Sequence, residues 1–374
     1  MIRISDRSAP MYQVMMDDLK TKIRSGQYPK GWPLPNQQEL AKLYNASEIT
    51  SRRALTELVN EGYVYRVRGK GTFVLGSEQE EEETSPLPVR HVFFVYHNLS
   101  VDSLNHRYWG DMLEAMREVC EENGVEFYLW AVDERYRLPE KPGAAYVLVT
   151  PPYSFDQKSL EAWRDEGKRL VTVQFYYPHL SVPYVVADNL TGGYLATQHL
   201  LSLGHRRTGI ILTGKSVVDL NQEFSLRLQG YRLALQQHQI PFDPELVCVM
   251  DGPSENAEMG YEGFKALLGR SGGEPPTAIF VTSDLKALGA LKAAQDMGLD
   301  VPGDVSLIGY DDLRISAYTY PHLTTINQNT AQIGRRAIEI LLHELPRSPG
   351  ELVKDEIVPK LVARETTRAL RQTE

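Results

Sequence analysis

The stretch Ala41–Leu75 constrains the fold of this chain more than any other, because a helical pattern changes there into a strand pattern. Apolar residues recur at helical spacing up to Val59, and two short runs rich in β-branched and aromatic residues follow, Tyr63–Val67 and Thr72–Leu75. The turn residues Gly69-Lys70-Gly71 between these runs predict a β-hairpin. A helix that leads directly into such a hairpin is typical of a helix-turn-helix unit with a wing, a module that suits DNA reading.

Three helices are predicted in this part of the chain: Met11–Gly26, about Asn36–Tyr44 and about Ser47–Asn60. The third is the predicted recognition helix, because Ser47 is a favourable N-cap and polar or basic side chains fill its first two turns. Such a helix enters the major groove by that end. The candidate DNA contacts lie at the starts of the second and third helices and in the hairpin turn. They are Gln38, Ser47, Glu48, Thr50, Arg52, Arg53, Arg68, Gly69 and Lys70.

The charge of the chain is distributed unevenly, although its net value of −9 alone would argue against a nucleic-acid partner. Residues 1–76 contain 12 Lys and Arg against 7 Asp and Glu, a net charge of +5, whereas the remainder carries −14. A basic head on an acidic body indicates a phosphate-binding module fused to another domain. We therefore expect a DNA-binding domain over 1–76, a flexible acidic linker over 77–89 and a separate domain over 90–374.

Other classes of protein are disfavoured by what the sequence lacks. Only Cys120 and Cys248 are present, without metal-ligand spacing, so neither a disulfide framework nor a metal site is expected. The N-terminus has no apolar signal region, and no run of residues is long and apolar enough to cross a membrane. We expect a soluble cytoplasmic protein that uses no cofactor and has no membrane partner.

Short apolar strands alternate with amphipathic helices after residue 90, which predicts an α/β fold with parallel sheets. Ligands of such sheets bind beyond the carboxyl ends of the strands. Carboxylates, an arginine and aromatic rings near the predicted strand ends suit a sugar, whose hydroxyls pair with Asp or Arg while its C–H face stacks on a ring. The candidates are His97, Tyr108, Trp109, Tyr153, Asn221, Arg227, Ser283 and Asp311.

Alternative structural roles are open for several of these positions. Asp284 and Asp312 follow strand ends and are also suited to cap the helices after them. Trp109 is equally compatible with a core position, and Arg227 with a surface charge on a helix.

Residues 11–74 resemble the winged helix of the GntR family. The segments YPKGWPLP, ELA, RRAL, LVNEGYVYR and GKGTFV all follow the pattern of that family. Gln38 and Glu48 stand where the family usually has arginine, so we expect the same docking mode with a different preferred DNA sequence. Gln can read adenine and Glu can accept from cytosine.

Residues 90–370 resemble the sensor half of the LacI/GalR family. The segments VVADNLTGGYLATQHLL, SLRLQGYRLAL, PTAIFVTSDLKALGAL and GLDVPGDVSLIGYDDL carry this resemblance. It implies two Rossmann-like subdomains of the type I periplasmic-binding-protein class, with chain crossings near 187/188, 327/328 and 357/358. It also adds Asp188 to the candidate effector contacts. The pairing of this body with a GntR-type head resembles that of arabinose repressors, which implies L-arabinose or another pentose as effector.

The leading hypothesis is therefore a homodimeric transcriptional repressor that binds a palindromic operator and is released by a small sugar. An enzyme is a second hypothesis, since GntR heads are also fused to aminotransferase-like bodies, but no catalytic motif or Schiff-base lysine context is present. A third is a sugar-binding protein that has lost specific DNA reading, which Gln38 and Glu48 would favour and Arg52 opposes.

Overall fold

The computed structural model describes residues 10–29, 31–67, 71–75, 88–97, 107–132, 137–149, 157–177, 179–252, 255–270, 274–345 and 351–370. The chain divides into two compact units, Met1–Leu87 and Pro88–Glu374. Four candidate site residues, Arg68, Gly69, Lys70 and Tyr153, lie outside the described residues, as does the predicted linker up to residue 87.

The first unit has the predicted winged helix-turn-helix fold. Its elements are α1 (Met11–Arg24), α2 (Gln37–Leu43), α3 (Glu48–Asn60), β1 (Val64–Val67) and β2 (Gly71–Val74). Asn36 caps α2 in a reciprocal capping box with Glu39, and Ser47 caps α3. The antiparallel hairpin pairs Val64 with Val74 and Val67 with Gly71. Buried apolar side chains of all three helices and both strands form one core.

The second unit alternates strands and helices as predicted. Its first elements are β3 (His91–Tyr96), α4 (Arg107–Glu122), β4 (Glu126–Ala131), β5 (Ala144–Val149), α5 (Gln157–Asp165), β6 (Arg169–Val173), β7 (Tyr184–Ala187), α6 (Asn189–Ser202), β8 (Thr208–Ser216), β9 (Asp219–Leu220) and α7 (Gln222–Gln237). The rest are β10 (Val247–Met250), α8 (Ala257–Gly269), β11 (Ala278–Val281), α9 (Asp284–Asp296), β12 (Ser306–Ile308), β13 (Thr325–Asn327), α10 (Thr330–His343), β14 (Lys354–Ile357) and β15 (Lys360–Val362).

Two parallel sheets organise this unit. One has the strand order β14-β7-β6-β5-β3-β4 and the other has the order β10-β8-β11-β12, with β9 antiparallel to β8 and a separate antiparallel pair β13-β15. The chain crosses between the two halves after Ala187, after Asn327 and after Ile357. Strands β7 and β14 belong to the first sheet, and α10 packs on α4 of the same half. Helix α6 belongs to the other half, where it packs on α7 and β13. The unit is therefore a pair of α/β halves that are joined by three crossing segments of the chain.

Three sequence-based boundaries differ from the structure. The sequence pattern predicts helices over Gly192–Leu203 and Ser225–His238. In the structure these helices, α6 and α7, begin earlier, at Asn189 and Gln222, because Asp188 and Asn221 accept backbone N–H bonds as N-caps. Val89, predicted to belong to the linker, packs against the core of the first sheet. In the described part of the chain, no helix is long and apolar enough to span a membrane.

Glycines allow the helices of the second half to pack in close pairs. A Cβ at Gly193 on α6 would overlap the backbone of Arg227, and one at Gly230 on α7 would overlap the carbonyl oxygen of Leu190. The pair α8 and α9 has the same arrangement, with Gly260 and Gly289 at the contact. Each helix pair therefore depends on backbone-to-backbone approach that no larger residue permits.

We expect Gly230→Ala to destabilise the protein by about 1–3 kcal/mol, because the added methyl group meets backbone atoms of Leu190 and Tyr194 rather than movable side chains. The matched control is Gly110→Ala on α4, where a Cβ meets nothing within 4 Å. Urea unfolding of the full chain measures both variants. Equal unfolding midpoints for the two would contradict the packing described here.

Candidate functional site

The first unit presents its candidate DNA contacts at the start of α3. The Ser47 hydroxyl accepts a hydrogen bond from the backbone N–H of Thr50 at 3.2 Å and contacts the Thr50 hydroxyl at 2.8 Å. Glu48 is exposed in the first turn, next to the exposed apolar side chain of Ile49. This helix end therefore offers an acceptor, two hydroxyls and an apolar group to a partner.

The two adjacent arginines of α3 point to different neighbours. The guanidinium of Arg53 lies over the ring of Tyr12 on α1, 4.0 Å from its centroid. The Nε of Arg52 instead donates to Oε1 of Gln37 on α2 at 3.1 Å. Gln38 and Arg52 line one groove, so the structure brings these two candidates together and directs Arg53 away from them.

In the second unit, Arg227 is the centre of the candidate effector site. Its side chain is 2 % exposed; Nε donates to Oδ1 of Asn189 at 2.9 Å and an Nη donates to the carbonyl oxygen of Thr282 at 2.6 Å. Its guanidinium stacks 3.8 Å from the centroid of Tyr310, and Glu223, one turn earlier on α7, completes an ion pair at 3.5 Å. Arg227 is therefore a buried, fixed charge and not a surface residue.

Asp311 and Tyr108 bring the two halves of the unit to this arginine. Asp311 follows β12, has a φ of 117° that is rare for a residue with a side chain, and accepts from Gln328 at 2.6 Å. Tyr108 lies in the first turn of α4 in the other half, and its side chain hydrogen-bonds to Gln174 beyond β6. Burial raises the pKa of the Tyr108 hydroxyl, and the nearby charges of Glu223, Asp311 and Arg227 also act on it. Polar and charged side chains from the carboxyl ends of both sheets are therefore close enough to act on one another, and the region around them is called the polar space below.

A second contact across this space joins Gln222 to Tyr176. The Gln222 side chain accepts from the backbone N–H of Tyr176 at 3.1 Å and donates to its carbonyl oxygen at 3.1 Å. Tyr176 in turn stacks on Tyr184 with ring centroids 4.3 Å apart. Because Gln222 is the first residue of α7, the helix that carries Arg227 is tied directly to the first half.

The ionisation of the site reflects its burial. Burial raises the pKa of the Asp311 carboxyl well above its usual range, although Arg227 opposes the shift, and burial likewise raises the pKa of Glu223. For Arg227, burial acts to lower the pKa, but neighbouring Tyr310, Glu223 and Asp311 raise it overall. The arginine therefore stays charged, while the raised pKa values make Asp311 and Glu223 weaker acids than usual, whose carboxyl groups can hydrogen-bond to neutral hydroxyls.

A buried ion pair that the sequence analysis missed lies beside Arg227. Lys286 on α9 is fully buried; its Nζ pairs with Glu255 at 2.5 Å, donates to the Thr213 hydroxyl at 2.7 Å and lies over the ring of Phe224. Burial lowers the pKa of Lys286, and Glu255 opposes that shift. The sequence could have indicated the ion pair of Glu223 and Arg227 from their i, i+4 spacing on one helix. It could not have indicated the pairing of Lys286, because Glu255 and Thr213 are distant from Lys286 in sequence.

Three candidate effector residues are helix N-caps. Asp188 accepts from the backbone of Thr191, Asn221 from Phe224 and Ser283 from Lys286. Each cap is close to a group of the Arg227 site. Asn189, which follows Asp188, and Thr282, which precedes Ser283, accept hydrogen bonds from Arg227, and Asn221 donates to Glu223, the ion-pair partner of Arg227. The caps therefore position the site whether or not they also contact a ligand.

Two aromatic candidates differ in accessibility. Trp109 is 7 % exposed and packs in the core of the first sheet, with its ring 5.9 Å from that of Phe94. The ring of Tyr108 is half-buried and lies edge-on to Trp109 at 5.0 Å. His97 follows β3 and is also half-buried. Tyr108 is thus the more accessible of the two rings at the start of α4.

Neither Asp284 nor Asp312 acts as a helix cap, the role left open from sequence. Asp284 is fully buried and accepts from the Leu313 N–H at 2.8 Å and from the Ser316 and Thr325 hydroxyls, both at 2.6 Å. Burial raises its pKa to about 7. Asp312 pairs with Arg364 at 2.5 Å and accepts from Asn327 at 2.8 Å. Both carboxylates hold the loop that presents Asp311.

Within the described ranges, no group of three or more His, Cys, Asp or Glu side chains could hold a metal ion. The polar space instead offers hydrogen-bond donors and acceptors on buried, fixed side chains next to an aromatic ring. Such an arrangement suits a small hydroxylated ligand.

Comparison with known families and proteins agrees with this division of the chain. Residues 11–74 match the bacterial regulatory proteins of the gntR family, and residues 197–367 match the periplasmic binding protein-like domain. A LacI family transcriptional regulator from Enterococcus faecium, solved with bound ribose, is 20 % identical and has a TM-score of 0.61 over 75 % of this chain and 100 % of that one.

Two curated relatives extend the comparison. The arabinose metabolism transcriptional repressor of Geobacillus stearothermophilus is 27 % identical over 98 % of this chain and 100 % of its own length. The HTH-type transcriptional repressor PurR of Haemophilus influenzae strain KW20 is 33 % identical over 70 % of this chain and 78 % of its own. The chain therefore belongs to the bacterial transcriptional repressors of the LacI/GntR type, in which a GntR-type helix-turn-helix head is joined to a periplasmic-binding-protein-like domain.

Proposed function

We propose that this repressor binds a palindromic operator as a homodimer, controls carbohydrate-utilisation genes, and is released from DNA by a small sugar. The sugar binds between the two halves of the second unit, and L-arabinose or another pentose is the leading effector. The starts of α2 and α3 and the hairpin turn, including Arg68, Gly69 and Lys70, contact the operator.

The observation that carries this proposal is the buried Arg227 beside Asp311 and Tyr108. A guanidinium, a carboxyl group and an aromatic ring from both sheets supply the donors, acceptors and flat face that a sugar ring requires. The caps Asp188, Asn221 and Ser283 are proposed as further contacts to sugar hydroxyls, as are His97, Trp109 and Tyr153.

Charge balance favours an uncharged ligand over a sugar phosphate. Arg227 is paired with Glu223, and Lys286 is paired with Glu255, so both buried cations already have acidic partners. Asp311 adds a third acidic group. The choice of arabinose rests on the name of the Geobacillus relative, whose similarity extends over the whole of its length.

A dimer is proposed because two identical heads match two half-sites related by a two-fold axis. The second unit exposes an apolar patch that suits contact with a second copy, in the segment between β12 and β13: Ile315 is 49 %, Tyr318 71 % and Tyr320 97 % exposed. Sugar binding between the halves changes their angle and thereby the separation of the two heads.

The proposal is tested by fluorescence anisotropy of the full chain on labelled DNA from its own upstream region, repeated with a panel of pentoses, hexoses and their phosphates. We expect specific, salt-dependent binding that L-arabinose or another neutral pentose weakens. Specific binding that no sugar alters would contradict the effector assignment, and release by a phosphorylated sugar would contradict the neutral ligand.

We expect Arg52→Ala to weaken operator binding about 10- to 100-fold, because it removes an exposed fork of donors from the recognition helix. Effector binding, measured by calorimetry, should be unchanged. Arg206→Ala, which removes an exposed arginine of the second unit, is the matched control and should leave both affinities unaltered. A parallel loss of effector affinity in Arg52→Ala would refute the separation of the two sites.

Asp311→Ala should weaken sugar binding about tenfold or more while DNA binding survives, because it removes an acceptor worth ~1.5–3 kcal/mol in a charge-assisted hydrogen bond. The sugar dose needed to release the operator measures the effect. Asp296→Ala, an exposed carboxylate on α9, serves as the control. An unaltered dose response would remove Asp311 from the site.

A Tyr318→Glu/Tyr320→Glu double variant should convert the dimer into monomers, because two charges would have to be buried at the proposed contact. Val218→Glu, at another position where an apolar side chain is 97 % exposed, is the matched control. Sedimentation velocity distinguishes the two states. A double variant that remains dimeric would place the interface elsewhere.

A further inference from the structure

The neighbours of Arg52 in the first unit give it a different environment from that of Arg53. Arg53 rests on the face of Tyr12, so its guanidinium is part of the packing between α1 and α3. Arg52 is exposed, and its hydrogen bond to Gln37 links α3 to the start of α2. Both arginines are exposed, but Arg53 is directed to the Tyr12 ring on α1, whereas Arg52 is directed to the start of α2.

Arg52 opens into a groove of ≈ 490 Å³ between α2, α3 and the hairpin. Gln37, Gln38 and Glu39 of α2 form one side, and Arg66 of β1 and Thr72 of β2 form the other. The Arg66 guanidinium donates to the Thr56 hydroxyl of α3 at 2.9 Å. Both arginines of the groove are thus oriented by neutral side-chain acceptors.

The atom that Gln37 contacts determines what Arg52 can still do. The amide oxygen of Gln37 accepts from Nε of Arg52, which leaves the two terminal NH2 groups of Arg52 available as a planar pair of donors. That pair matches O6 and N7 of guanine in the major groove. No carboxylate of the described residues forms an ion pair with Arg52, so no acidic side chain pairs directly with its terminal NH2 groups, although Glu39 also lines the groove.

We propose that Gln37 is a positioning residue for sequence reading: it holds Arg52 at Nε so that the terminal NH2 pair faces a guanine of the operator. The inference rests on the proposed function of the first unit as a DNA reader and adds a residue to it. Gln37 itself contacts no base. Part of the ordering of a long, flexible side chain is then complete before binding, which favours the matched sequence over others.

The experiment uses the full chain and an operator enriched from a random-sequence duplex library, which requires no knowledge of the natural operator. Gln37→Leu removes the acceptor at similar volume, and Gln37→Glu keeps an acceptor but adds a charge. Gln13→Leu and Gln13→Glu, at an exposed position of α1, are the matched controls. Affinity is measured for the enriched duplex and for an unrelated duplex at several salt concentrations.

We expect Gln37→Leu to weaken binding to the enriched duplex about tenfold, the range of a lost hydrogen bond to a charged group, and to leave the unrelated duplex unchanged. At low salt, Gln37→Glu should bind both duplexes more weakly than the wild-type protein does. At high salt, where the added charge is screened, its affinities should approach those of the wild-type protein. It should keep the wild-type ratio between the two duplexes. If Gln37→Glu keeps the affinity ratio of the two duplexes and Gln37→Leu loses it, the acceptor itself is what matters. That result distinguishes positioning of Arg52 from a general structural role.

A double-mutant cycle with Arg52→Ala completes the test. If Gln37 acts through Arg52, Gln37→Leu has no further effect in the Arg52→Ala background. An equal loss in both backgrounds overturns the inference, as does an equal loss on both duplexes. If the wild-type protein enriches no sequence, the proposed DNA reading fails first, and that result is distinct from the failure of Gln37 alone.

Discussion

The burial of Arg227 is the interaction on which the second unit depends. A guanidinium removed from water costs several kcal/mol unless it is paired and hydrogen-bonded. Here the cost is offset by Asn189, the Thr282 carbonyl and Glu223, together with the face of Tyr310. These partners come from α6, the end of β11, α7 and the end of β12, so one side chain fixes the relative positions of four elements.

The helix packing explains how a large charged side chain can reach this position. Gly193 lies against the backbone of Arg227, and Gly192 lies against the hydroxyl of Tyr310, so the start of α6 has no side chain between them. The same helix α7 bonds through Gln222 to Tyr176 in the first half. A ligand that contacts Arg227 therefore acts on a helix that is rigidly packed in one half and hydrogen-bonded to the other, which is what a change of angle between halves requires.

The sequence predicted the architecture well, because alternating strands and helices and the helix-to-hairpin change are local patterns. It predicted the starts of α6 and α7 less well. The apolar runs after residue 90 indicate only β3 to β6, β8, β11 and β12 and omit β7, β9, β10 and β13 to β15, because strands this short carry little periodic signal. Lys286 was missed for a different reason. Helical periodicity predicts which face of α9 is buried but cannot identify Glu255 as a partner from another element. Non-local pairing is the information that a single sequence lacks.

The two arginines at the centre of the proposals show how environment assigns different tasks to one side chain. Arg227 is buried among Glu223 and other acidic groups, so its charge is balanced within the protein, which is why a neutral ligand is proposed for it. Arg52 is exposed beside the neutral acceptor Gln37, so its full charge remains available to a polyanion. A carboxylate in place of the Gln37 amide would pair with Arg52 as Glu223 pairs with Arg227, and it would weaken the attraction of the first unit to phosphate. In the proposed function, the identity of the acceptor, amide or carboxylate, thus separates the arginine that would attract DNA from the arginine that would select an uncharged ligand.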